Sequence, residues 1–234
     1  MVDVAAGQTC TVQMSGFPTG DTVLKSRRLY RTAVGSTSAG FLFVTELSES
    51  TVSYDDAALT ENLGEPCPTT DFSLIPNAAR GLVGMANGMM AAHTTYDVYF
   101  CEPFKPYAWP EGYIQTVAYP IIGLGAFGTS LVVLTNGNPY VMTGSDPSSV
   151  TVEQLSVPYA CVSKRSIVSA LGGVIYAAPD GLVSIDSSGP KVLTDALFTR
   201  REWATFVPSS MLCAIWDERI FMFFDNGVTQ GGLI

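Results

Sequence analysis

The stretch Ser166-Ile-Val-Ser-Ala-Leu-Gly-Gly-Val-Ile-Tyr-Ala177, followed by Asp180-Gly181 and Leu182-Val-Ser-Ile185, decides how this chain is read. It holds an apolar run, a turn, a second apolar run, another turn and a third run. Gly and Asp-Gly at the two turns supply the positive φ that tight hairpins need. The runs do not alternate polar with apolar residues, so they suit strands buried on both faces. Three further segments repeat the order. The first joins Gly81-Leu-Val-Gly-Met-Ala-Asn-Gly-Met-Met-Ala-Ala92 to Asp97-Val-Tyr-Phe-Cys101. The second joins Pro120 to Gly128, Leu131-Val-Val-Leu134, Asn136-Gly137 and Tyr140-Val-Met142. The last joins Met211 to Trp216, Asp217-Glu218, Ile220-Phe-Met-Phe-Phe224 and Asp225-Asn-Gly227. The first apolar residues after the inner turns are Met89, Leu131, Val174 and Ile220, spaced by 42, 43 and 46.

A period of that size with about four short strands per unit is the signature of propeller blades. One blade cannot bury both faces of its own sheet, so neighbours stack and exclude water between them. A single β-sandwich with similar hairpins is the competing architecture. The fourth repeat is incomplete, with seven residues after Gly227. The expectation is a chain belonging to a longer product, or a last blade covered by another chain, since an open apolar sheet face is sticky.

Residues 1–60 read as strands: Gln8–Met14, Arg28–Val34, Phe41–Leu47 and a short Thr51–Tyr54, with turn clusters at Ser15–Asp21 and Gly35–Gly40. Residues 57–64 suit one helical turn, and Pro66, Pro68 and Pro76 mark a linker. The predicted organisation is an all-β chain, with a small β-sandwich portion and linker over 1–75 and blades over 76–234.

The 234 residues carry 12 Lys plus Arg against 21 Asp plus Glu, a net charge of −9. Only 14% are charged and 47% are hydrophobic, which excludes a disordered chain. An acidic protein is a poor non-specific ligand for nucleic acid, because phosphate affinity comes from Lys and Arg displacing counterions. Cys10, Cys67, Cys101, Cys161 and Cys213 are odd in number and form no C-x-x-C. They read as free, mostly buried thiols and point to synthesis in a reducing compartment. No charged residue occurs from Gly112 to Ser145, but Pro120, Gly123, Gly125 and Gly128 interrupt the apolar window, so buried strands are favoured over a membrane span.

No motif points to catalysis. Gly123-Leu-Gly-Ala-Phe-Gly128 matches a dinucleotide fingerprint, yet a β-branched run halted at Asn136-Gly137 follows instead of the helix such a site needs. Asp55, Asp56, Asp180, Asp186, Asp195, Asp217 and Glu218 could in principle supply a glycosidase pair, but read better as turn residues. His93 is the only histidine, and a hydrolase would lack its usual base. Lys25, Arg27, Arg28 and Arg31 form a basic cluster that suits a charged edge strand. Phe100 to Tyr113 alternates three prolines with aromatics and reads as a rigid connection between blades, or as a partner-binding surface. No catalytic, cofactor-binding or metal-binding residue is assigned.

Several runs resemble the short-tail structural proteins of tailed bacteriophages. Arg28-Leu-Tyr-Arg-Thr, Phe41-Leu-Phe-Val-Thr-Glu-Leu, Val52-Ser-Tyr-Asp-Asp and Leu63-Gly-Glu are similar to later strands of a fibronectin type III-like module in such proteins. Pro106-Tyr-Ala-Trp-Pro, Cys161-Val-Ser-Lys-Arg-Ser and Tyr176-Ala-Ala-Pro-Asp-Gly-Leu-Val are similar to the nozzle and tail tubular protein B family. The resemblance implies a non-enzymatic virion component made in the host cytoplasm. It implies a homo-oligomer, a hexameric ring below the portal and adaptor and beside tail fibre proteins. DNA would pass through it without specific binding, with no cofactor, no small-molecule substrate and at most transient membrane contact. A carbohydrate-binding or glycan-cleaving propeller module is the alternative. A membrane transport component is a third reading.

Overall fold

The computed structural model describes residues 8–14, 26–33, 40–48, 50–68 and 72–233. The Ser15–Asp21 turn, most of the 35–40 loop and Lys25 lie outside the described residues. The chain divides into two units, Met1–Asp71 and Phe72–Ile234. Residues 72–75, expected to be linker, belong to the second.

In the first unit, β1 (Cys10–Gln13) pairs with β4 (Ser53–Asp56), and β2 (Ser26–Arg31) with β3 (Leu42–Ser48), both antiparallel. The helical turn expected over 57–64 is a 3-10 turn at Thr60–Asn62. Tyr30 and Phe43 meet edge to face at 5.6 Å, a geometry the ring quadrupoles favour. Strict alternation would put Arg27 and Arg31 on one face, but the register shifts between Leu29 and Tyr30. Each described arginine of this unit is held locally. Arg31 pairs with the buried Asp56 at 2.7 Å and donates to the Ala58 carbonyl. Arg28 bridges Glu46 and Glu65, and Arg27 reaches the Thr51 carbonyl.

The second unit is a succession of antiparallel meanders. The first blade is β5 (Arg80–Gly84), β6 (Met90–His93), β7 (Asp97–Phe100) and β8 (Gln115–Thr116). The second is β9 (Ile121–Phe127), β10 (Ser130–Thr135), β11 (Tyr140–Thr143) and β12 (Thr151–Gln154). The third is β13 (Val168–Ala170), β14 (Gly173–Ala178), β15 (Gly181–Asp186) and β16 (Gly189–Val192). The fourth has three strands among the described residues: β17 (Leu212–Trp216), β18 (Arg219–Asp225) and β19 (Gln230–Leu233). The architecture is all-β, a partial propeller-like array of antiparallel blades.

Neighbouring blades share cores, and consecutive residues of a central strand enter different ones. Leu131 and Val133 join Met89, Ala91, Val98 and Phe100 of the first blade. Val132 and Leu134, one position along, join Val174, Tyr176 and Val183 of the third. Ile175, Ala177 and Leu182 turn the other way, toward Cys213 and Met222 of the fourth. This is why the strands read as unbroken apolar runs. Each such side chain contributes roughly 1.5–3 kcal/mol on full burial.

Two features lay outside the sequence pattern. The outer strands β8, β12 and β16 are short or polar, and Thr151–Gln154 is exposed throughout. Because β8 returns to the first blade, the Phe100–Tyr113 segment connects two strands of one blade, not two blades as expected. A helix, α1 (Arg200–Thr205), also appears between the third and fourth blades. Thr199 and Glu202 close a capping box at its start. Trp203 is its one buried side chain; its Nε1–H donates to the Ala178 carbonyl at 2.9 Å, and its ring sits among Phe198 and Phe206.

Candidate interaction surface

The two ends of the stack differ. At the first blade, Ala92, Cys101 and Trp109 form a small core with Ile75, Ala79, Met90 and Tyr99, so the segment before β5 and the loop after β7 cover that side. Backbone hydrogen bonds hold the cover: Trp109 N–H donates to Ser73 O at 3.0 Å and Glu102 N–H to Ala108 O at 2.9 Å. The Trp109 Nε1–H donates to Pro106 O. A groove of about 450 Å³ lies there, walled by Leu74, Pro76, Tyr99, Trp109 and Ile114, with Glu111 as its carboxylate. Phe104 and Tyr107 of the same loop project outward, 81% and 61% exposed. Phe104 keeps φ 61 and sets its ring against Gly88, where an added Cβ would meet it at 2.5 Å.

At the fourth blade one face is bare. Cys213, Ile215, Ile220, Met222 and Phe224 turn into the core shared with the third blade. The side chains between them turn away, and Trp216 is 71% exposed. With Phe223, 50% exposed on the same face, it makes an apolar patch rather than a single exposed side chain.

The sequence candidates for chemistry are dispersed. Asp55 and Asp56 lie in strand β4 and not in a turn as expected: Asp55 accepts from Thr11 Oγ1 at 2.6 Å, and the buried Asp56 pairs with Arg31. Asp180 pairs with Arg200 at 2.6 Å, and Asp186 accepts the Ser188 N–H. Asp217 and Glu218 adopt φ 49 and 58 in the β17–β18 turn, and Asp195 lies in a turn. Each therefore has a local structural role. Among the described residues no group of three or more His, Cys, Asp or Glu is placed to hold a metal ion. Gly123, Gly125 and Gly128 lie in the β9–β10 hairpin rather than at a helix start. An added Cβ at Gly123 would meet Ile167 Cδ1, and one at Gly125 would meet Val174 Cγ1, each at 2.5 Å. Gly123 and Gly125 thus let the second and third blades approach, whereas an added Cβ at Gly128 would meet nothing within 4 Å.

His93 is fully buried in β6. Its Nδ1–H donates to the Thr94 carbonyl at 2.6 Å, its ring abuts Gly81, and Nε2 has no hydrogen-bond partner. Burial, with smaller contributions from Arg80 and Lys164, holds its pKa below the usual histidine value. Cys101, Cys161 and Cys213 are buried, while Cys10 and Cys67 are half-buried. Burial pushes the Cys161 thiol up to about 12 and the Cys213 thiol up to about 11. Such thiols are poor nucleophiles at neutral pH. No helix among the described residues is long and apolar enough to cross a membrane; residues 121–127 and 130–135 of the uncharged window are β9 and β10.

No family model matches the chain, and no curated protein matches it. Similar solved structures include a chain of the S. cerevisiae assembly of a Dbp5 variant bound to Nup159, a Gle1 variant, IP6 and ADP, at 11% identity and a TM-score of 0.38, covering 68% of this chain and 44% of that one. The N-terminal domain of Nup159 matches at 11% identity and 0.42, covering 74% and 48%. PorZ of Porphyromonas gingivalis, described as an essential surface component of the type-IX secretion system, matches at 12% and 0.40, covering 88% and 25%. The chain spans less than half the length of each of these, and none is a bacteriophage tail protein. Identities this low bear on fold alone, and the architecture here rests on the chain's own sheets.

Proposed function

We propose that this chain is a non-enzymatic structural component of a bacteriophage virion tail, of the nozzle or tail-tube kind, forming a ring around the DNA ejection channel. The observation that carries the reading is the series of apolar cores shared between successive blades. Blades whose apolar faces are hidden only by their neighbours suit architecture, and Trp216, 71% exposed on the fourth blade, offers contact area to a further blade or to a neighbouring protein. The exposed Phe104 and Tyr107 offer further contact area at the other end. Blades sharing their cores make a stiff wall. A net charge of −9 keeps affinity for DNA phosphates low, as a conduit requires. The motif resemblance to short-tail proteins supplies the specific assignment, with portal, adaptor and tail fibre proteins as neighbours.

The test is microscopy and native mass measurement of the purified protein, together with gold-labelled antibody against it on phage particles. Ring-shaped particles and labelled tails are expected. A protein that stays single at all concentrations and leaves tails unlabelled overturns the proposal. Hydrolysis of a glycan that Asp→Asn changes abolish would favour the carbohydrate module instead.

A further inference from the structure

Three asparagines of this chain precede glycine: Asn87-Gly88, Asn136-Gly137 and Asn226-Gly227. An asparagine carboxamide is an electrophile toward the amide nitrogen of the next residue. Glycine has no side chain to obstruct that attack, so these pairs are the reactive ones in an unfolded chain. Asn138 is excluded, because Pro139 has no N–H to give up. The three pairs share one local chemistry and lie in three hairpin turns, so their surroundings decide between them. Two of the carboxamides are held. Asn87 Nδ2–H donates to Gly144 O at 3.1 Å and to Ser145 O at 3.3 Å, and its Oδ1 accepts the Met89 N–H at 3.3 Å. Asn226 Oδ1 accepts the Val228 and Thr229 N–H groups at 3.0 and 2.7 Å, and its Nδ2–H donates to Thr205 O at 3.3 Å. Asn136 is exposed, and its carboxamide makes no hydrogen bond to another described residue.

The attacking nitrogens differ as well. Each glycine N–H is donated: Gly88 to Met85 O at 3.2 Å, Gly227 to Asp225 Oδ1 at 2.9 Å and Gly137 to Thr135 Oγ1 at 3.0 Å. Attack requires the nitrogen to lose that proton. The carboxylate beside Gly227 opposes the negative charge that develops there. Beside Gly137 the acceptor is a neutral hydroxyl. Asn136 N–H donates to Pro120 O at 3.0 Å, and the Tyr119 ring abuts Gly137. These contacts fix the main chain of the turn and leave the Asn136 carboxamide free to rotate.

We infer that Asn136 is a self-modification site of the folded chain, converting to aspartate and isoaspartate while Asn87 and Asn226 persist. The Gly137 nitrogen, its proton taken by solvent base, bonds to Asn136 Cγ. The Cγ–Nδ2 bond breaks and ammonia leaves, closing a five-membered succinimide. Water then adds to one of the two ring carbonyls. Breaking the bond from nitrogen to Cγ leaves aspartate; breaking the bond from nitrogen to the main-chain carbonyl leaves isoaspartate, with one more methylene in the main chain. No atom is oxidised or reduced. Either product adds a negative charge to the turn between β10 and β11, and in the ring the Gly137 nitrogen has no proton to give to Thr135 Oγ1. The inference goes beyond the assembly reading and does not depend on it.

The test ages the full protein in mildly alkaline buffer at body temperature, beside a sample unfolded in urea. Peptide mass spectrometry that separates aspartate from isoaspartate reads all three sites. In urea the three pairs are expected to convert at similar rates. In the folded protein Asn136 is expected to convert roughly tenfold or more faster than Asn87 or Asn226, because each of those must first release several hydrogen bonds. Asn136→Gln, whose longer side chain would have to close a six-membered ring, is expected to abolish the charge gain seen by ion exchange. It should keep the wild-type urea midpoint, because the side chain it replaces lies in water. Folded protein in which Asn87 or Asn226 converts as fast as Asn136 overturns the inference. So does a ranking that persists unchanged in urea, since the preference would then belong to the flanking sequence and not to the fold.

Discussion

At the scale of single residues, side-chain volume at the blade interfaces decides what the chain tolerates. Gly125 faces a β-branched side chain that has little room to move, and an added Cβ would sit 2.5 Å from Val174 Cγ1. Gly125→Ala is expected to cost about 1–3 kcal/mol through overpacking, whereas Gly84→Ala, with nothing within 4 Å, is expected to be close to neutral. Urea unfolding of the two variants checks the contrast. The G-x-G-x-x-G spacing was legible, and so was the strand that follows it in place of a helix, because its residues are β-branched. The burial of His93 was not legible. Its neighbours Thr94 and Thr95 suggest a surface turn, and only the pairing of Arg80 with His93 across β5 and β6 brings Gly81 onto its ring.

At the scale of elements, the legible strands were those with two apolar faces. Leu131–Leu134 and Val174–Ala177 announced themselves because each residue fills one of two cores. The outer strands did not, since an edge strand needs no apolar side chain, and β8 is only two residues long. Helix α1 is equally short, and one buried tryptophan gives no period to detect. Its signal was the Thr199-Arg-Arg-Glu202 capping box. Thr199→Ala removes the acceptor for the Glu202 N–H and is expected to cost about 0.5–2 kcal/mol. Amide exchange should then rise over 200–206 before it rises in β14 and β15, whose amides are the best shielded. Uniform exchange across these segments would contradict this order.

At the scale of the whole molecule, buried titrating groups set a pH window for stability. His93 titrates below its ordinary 6.5 when folded, so the unfolded chain takes up the proton first and stability falls as pH drops through and below 6.5. Cys213 and Cys161 stay protonated to about 11 and about 12, whereas unfolded thiols ionise near 9.0. Their contribution is complete below pH 9 and is lost as pH rises toward 12, by about 1.4 kcal/mol per pH unit for each thiol inside its window. Urea midpoints from pH 5 to 11 should show a plateau between roughly 6.5 and 9 with a fall on either side; a flat profile would count against the burial of these groups. The blade repeat itself was legible because three cores recur along one chain. A strand that is greasy on both sides has, in consequence, no wrong side. Sliding β10 by one residue would still bury every side chain, so hydrophobicity cannot hold the reading frame of the fold. That task falls to the corners: the buried Thr135 hydroxyl, donating to Asn138 O and accepting from the Gly137 N–H, acts as the latch that forbids slippage.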